Sequence, residues 1–153
     1  MKILMIVLMS LVGLNAVAHD YIAVPVTANW TELNGNWESI ESEYKPGSEI
    51  RGRLTFSLYA AANTPYMHGA QGDYQLTSIC SFYDGTLLQS SVKTRVSVNG
   101  NQVQTWDPVQ SSNQLGNKYC TASIPRQIFN FEVKNNVLIM YTNIGKYYFQ
   151  RVY

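Results

Sequence analysis

From residue 50 onward the sequence alternates with a period of two, which limits most of the chain to strands with one buried face. Ile50, Gly52, Leu54, Phe56 and Leu58 share one parity, and Arg51, Arg53, Thr55 and Ser57 share the other. Tyr74, Leu76, Ser78, Cys80 and Phe82 alternate with Gln75, Thr77, Ile79 and Ser81. Val92, Thr94, Val96 and Val98 alternate with Lys93, Arg95 and Ser97, and Phe129, Phe131 and Val133 with Asn130, Glu132 and Lys134. Turn residues fall between these runs. Asp84-Gly85 and Asn99-Gly100 are strong two-residue hairpin signals, because Asn, Asp and Gly tolerate positive φ. Asn135-Asn136, Asn143-Ile144-Gly145 and Pro46-Gly47 are weaker ones.

The pattern predicts eight or nine strands, at about 33–44, 49–59, 73–83, 86–98, 101–107, 118–124, 127–134, 137–142 and 146–153. No segment after residue 18 has a helical period, although residues 58–69 have room for a short helical turn or a lid loop. Consecutive antiparallel strands joined by hairpins make a meander, and a long meander removes its exposed edges by closing. The expected fold is therefore an all-β, antiparallel, up-and-down barrel, with a β-sandwich as the alternative.

The first eighteen residues follow a different rule. Lys2 precedes an apolar run from Ile3 to Leu14, which ends in Asn15-Ala16-Val17-Ala18. This is the pattern of a cleaved signal peptide, and the run is too short for a permanent transmembrane helix. The expectation is an exported protein, periplasmic or extracellular. Residues 1–18 would be the signal, 19–32 an N-terminal arm and 33–153 a single domain. With Lys2 set aside, the 11 Lys and Arg fall to the same number as the 10 Asp and Glu. Such a balance does not favour nucleic acid or anionic membrane as a partner, since both reward clustered cations. In an oxidising compartment Cys80 and Cys120 most simply form one disulfide. Closing a loop of roughly 40 residues would stabilise the fold by about 3–4 kcal/mol.

Two motifs at the ends of the predicted domain carry a resemblance. Leu33-Asn34-Gly35-Asn36-Trp37 contains a G-x-W, and the last strand ends Tyr147-Tyr148-Phe149-Gln150-Arg151-Val152-Tyr153. This resembles the calycin superfamily: lipocalins, fatty-acid-binding proteins and bacterial lipocalin-like exported proteins. There the first strand carries G-x-W, and an Arg on the last strand packs across the Trp and closes one barrel end. The resemblance implies that Trp37 and Arg151 are such a closing pair. It also implies a second role for Arg151, because Arg151-Val152-Tyr153 is similar to the R-x-Y with which fatty-acid-binding proteins grip a carboxylate. The second and third lipocalin signatures and the helical cap have no clear counterpart here.

Other chemistry-bearing residues are sparse. His19 would be the N-terminal residue after cleavage at Ala18, a position that can chelate copper, and the only other histidine is His68. Neither has neighbouring ligands, so no metal site and no cofactor is expected. Glu38, Glu41 and Glu43 lack the loop that calcium requires and read as solvated strand surface. No Gly-x-Ser-x-Gly occurs, and both thiols are expected to be oxidised, so the chain reads as non-enzymatic. Trp30, Trp106, Tyr59, Tyr66 and Met67 fall near strand ends, as rim packing or as a portal or partner surface.

These readings converge on a protein that binds a small hydrophobic or carboxylate-bearing amphipathic ligand inside a barrel. Arg151 and Tyr153 would meet its head group, Tyr147, Phe149, Phe129, Phe131 and Val96 would line the interior, and loops 60–72 and 108–117 would form the mouth. A barrel of eight strands has space for side chains or for one small ligand. The alternative is a protein-interaction module, such as an inhibitor of a secreted hydrolase, acting through its loops.

Overall fold

The computed structural model describes residues 29–61 and 69–153. The expected signal peptide, most of the expected arm, and His19, Tyr66, Met67 and His68 lie outside them. Among the described residues, one helical turn, α1 (Trp30–Leu33), precedes a series of strands. These are β1 (Gly35–Ser39), β2 (Glu43–Lys45), β3 (Ser48–Ala60), β4 (Gly69–Phe82), β5 (Leu87–Asn99) and β6 (Gln102–Thr105). They continue with β7 (Val109–Leu115), β8 (Lys118–Ile124), β9 (Ile128–Lys134), β10 (Val137–Thr142) and β11 (Gly145–Val152).

β1 pairs with β3 on one side and with β11 on the other. The ring β1-β3-β4-β5-β6-β9-β10-β11 is thereby closed, and every pairing in it is antiparallel. The protein is all-β, with an eight-stranded up-and-down barrel plus one extra strand, and the sandwich alternative is set aside. The single strand expected over 33–44 is broken. β1 lies beside residues 53–56 of β3 and β2 beside residues 48–50, with a bend at 40–42 between them.

The alternation read from the sequence decides which side chains enter the barrel. On β3 the inward set is Ile50, Gly52, Leu54, Phe56 and Leu58, and on β5 it is Leu88, Ser90, Val92, Thr94, Val96 and Val98. The barrel core joins Leu54, Phe56, Leu58, Val92, Val96 and Val98 of these to Leu33, Trp37, Tyr74, Phe129, Phe131, Leu138 and Phe149. Phe56 stacks on Tyr74 with ring centroids 4.7 Å apart, and Phe129 tilts against Tyr74 at 6.4 Å. Each large apolar side chain removed from water in this way stabilises the fold by about 1.5–3 kcal/mol.

One structural element departs from a simple meander. β3, β4 and β5 have 13, 14 and 13 residues, whereas β6 has 4 and β10 has 6. The long strands therefore overhang the ring, and their inner face would meet water. β7 and β8 form a separate hairpin that covers it. A second apolar cluster of Ile50, Cys80, Leu88 and Cys120, with Phe82 packed against it, fills the space beneath. The Cys80–Cys120 disulfide, with a Cα–Cα distance of 5.7 Å, ties β8 to β4 there. Residues 108–117, expected to be a mouth loop, thus include β7. Its sequence hides it because most of its side chains are exposed, so no apolar alternation marks it.

Candidate functional site

The two ends of the barrel differ. At one end Trp37 is fully buried and Arg151 is its cross-strand neighbour on β11. The Arg151 Cζ lies 4.2 Å from the Trp37 ring centroid. Arg151 Nη1 donates to the carbonyl of Asn34 at 2.8 Å, Nη2 donates to the carbonyl of Glu32, and Trp37 Nε1 donates to the carbonyl of Leu33 at 2.9 Å. The last carbonyls of a helical turn have no partner within the turn. Here the closing pair supplies three donors to them, which is why a four-residue helix with Asn29 as its N-cap persists. Asn34 then fastens the turn to β3, accepting from the Leu58 N–H at 2.6 Å and donating to the Leu58 carbonyl at 3.0 Å. Gly35, at φ +120°, leaves room for the guanidinium, since a Cβ there would lie 3.0 Å from Arg151 Nη1.

The opposite end holds a cleft. Leu54, Tyr74, Met140, Tyr147 and Phe149 form its apolar walls, and residues 123–127, the exit from β8, form its roof. Thr142, Ser123 and Gln127 add polar groups. The cleft encloses about 40 Å³ and opens to solvent. A water molecule's share of the liquid is about 30 Å³, and sites for drug-sized ligands run to about 300–1,000 Å³. Bulky aromatics fill the rest of the interior. Burial pushes the Tyr147 phenol above its usual pKa, a hydrogen bond with Thr142 opposes the shift, and the charge of Glu43 adds to it.

The expected site residues fall in different places. Tyr147 and Phe149 line the cleft, but Phe129, Phe131 and Val96 lie in the packed core, because eight strands carrying this many aromatics leave no continuous cavity. Tyr153 is fully exposed: it follows the last ladder pair, Asn36 with Val152, so nothing holds it inward. Arg151 lies at the end away from the cleft, with its guanidinium engaged on main-chain carbonyls. The described parts of loop 60–72 also belong to that closed end, where Ala61 N donates to the Gly69 carbonyl, so they do not form the mouth.

Glu43 was expected on solvated surface and is buried, with Lys45 Nζ 3.7 Å from its carboxylate. It shares the parity of Trp37 and Ser39, but the bend at 40–42 breaks the alternation, since Glu41 has the same parity and is exposed. Glu41 stays exposed, and Glu38 sits 3.8 Å from Arg53. Trp30 packs partly buried against the core, whereas Trp106 and Tyr59 are exposed. Among the described residues no three His, Cys, Asp or Glu side chains come together as metal ligands.

Comparison with protein-family models, with curated proteins and with solved structures finds no match to this chain.

Proposed function

We propose that the protein binds a small amphipathic ligand in the cleft at the open end of the barrel and performs no chemistry on it. The observation that carries this reading is the cleft itself: an apolar recess rimmed by the Tyr147 phenol, Thr142 and Gln127, opposite an end sealed by Trp37 and Arg151. Its enclosed volume suits the leading few atoms of a chain, with the remainder under residues 123–127 or in solvent. The lipocalin-like reading rests on the closed meander and on the stacking of the G-x-W indole with the last-strand guanidinium. Export to the periplasm or beyond is proposed on the N-terminal sequence and on the Cys80–Cys120 disulfide. No helix among the described residues is long and apolar enough to cross a membrane.

The test is an amide NMR titration with 1-octanol and with octanoate. Saturable shifts confined to Leu54, Met140, Tyr147, Phe149 and the roof are expected with at least one of them. Met140→Trp, which fills the recess, should abolish them. The absence of saturable shifts with both probes would remove the reading. A protein-interaction module is the second reading. It draws on the exposed side chains Tyr83 and Leu87 beside the β4–β5 turn, and Leu115 and Tyr119 on the adjoining hairpin.

A further inference from the structure

Two buried hydroxyls mark the level at which the barrel core gives way to the disulfide cluster. Ser78 on β4 and Ser90 on β5 face each other across the ladder and project to the inner side. Ser78 is 0% exposed and Ser90 5%. Neither Oγ has a hydrogen-bond partner among the described residues. The next pair along, Thr77 and Ser91, projects to the outer side, and there the two hydroxyls bond to each other at 2.8 Å. At this level the two strands pair their outer hydroxyls with each other and leave the inner two without a partner, whereas Thr94, further along the inner face of β5, donates to the Asp107 carbonyl at 2.9 Å.

The surroundings make this level a narrow polar belt between apolar layers. Across β3, Gly52 pairs with Ser78 and gives its N–H to Ser39 Oγ at 3.0 Å. On either side along the strands the inward residues are Leu76 and Cys80 on β4, and Val92 and Leu88 on β5. β8 covers the belt, with Cys120 Sγ 3.5 Å from the Ser78 carbonyl. Leu76 also lines the cleft, so the hydroxyl pair lies one inward step, about 7 Å, beyond the cleft wall. Buried hydroxyls without partners weigh against folding, and alanine would occupy the same space without that cost.

We infer that Ser78 and Ser90 receive the polar head of the ligand, and that this head is neutral: an alcohol, aldehyde or amide at the end of a short apolar chain. The inference rests on the cleft reading above and names its ligand class. Hydroxyls both donate and accept, so a primary alcohol can satisfy both serines at once. A carboxylate carried to this level would lose its water, and the Arg151 guanidinium is held on main-chain carbonyls at the other end of the barrel. Glu43, buried on the strand beside β3, offers an anionic head no compensation.

The experiment compares the wild type with Ser78→Ala/Ser90→Ala, and with Ser90→Ala alone in case the double variant misfolds. Binding of 1-octanol and octanoate is followed by calorimetry, and stability by urea denaturation. The wild type should prefer octanol by roughly tenfold or more, and the double variant should unfold at higher urea yet lose that preference, with octanol affinity down roughly tenfold. Ser90→Ala should lose part of it. A wild type that binds octanol while both variants bind it equally well would overturn the serine assignment and leave the cleft reading standing. A wild type that prefers octanoate would overturn the neutral-head assignment. A wild type that binds neither would end the cleft reading itself.

Discussion

Arg151 holds a position that a shorter or uncharged side chain cannot fill. Its plane covers the Trp37 indole, and its two terminal nitrogens reach carbonyls at both ends of the Glu32–Asn34 segment. Arg151→Met keeps much of the aliphatic bulk but leaves those carbonyls without donors. The expected loss is about 2–4 kcal/mol, read as a lower urea midpoint. Arg151→Lys should fall between, because an ammonium lacks the planar fork. A midpoint for Arg151→Met equal to wild type would remove the closing role. Asp84 offers a second test at this scale. The hydrogen bond from Lys118 is the main reason its pKa is lowered to about 2, with the Thr86 N–H and hydroxyl assisting. A folded pKa below the unfolded value means that the contribution is complete above the ordinary carboxylate range and disappears as pH falls through the folded value. The stability difference between wild type and Asp84→Asn should therefore stay constant from pH 7 to about 5, shrink between about pH 5 and 2, and be gone below the folded value. Urea midpoints measured along that series check it.

The β7–β8 hairpin is the element whose sequence and role are furthest apart. It contributes no strand to the ring, yet it dries the inner face of the β3–β5 overhang and carries the roof of the cleft on its outgoing leg. Its attachments include the disulfide, the Asn113 side chain donating to the Gln89 carbonyl at 3.1 Å, Lys118 against Asp84 and Thr86, and the burial of Ala122 and Ile124 in the barrel core. Replacing both cysteines by alanine frees a 40-residue loop and should cost about 2–4 kcal/mol. The loss should be local first. Amide hydrogen exchange should quicken across residues 109–124 while β9, β10 and β11 keep their protection. Equal loss of protection in both regions would show that the hairpin is inseparable from the ring.

At the scale of the whole molecule, ring closure is the decisive event, because β1 satisfies both β3 and β11 and links the two ends of the fold. Much of this was legible along the chain. Period two marks the inward faces of β3, β4, β5 and β9, and Trp37 and Arg151 could be paired from the first and last strands. The disulfide followed from the cysteine count. β7 was not legible, since a strand with both faces polar leaves no periodic trace. Nor was α1, whose four residues fit in one turn and are capped by Asn29, by Trp37 and by Arg151 from the far end of the chain. Local alternation determined that the protein is made of strands and which parity faces inward, because burial acts on each residue through its immediate backbone geometry. Tertiary structure alone decided which end is sealed and where the cleft opens. Those properties depend on unequal strand lengths and on contacts between residues more than a hundred positions apart, as with Arg151 and Asn34.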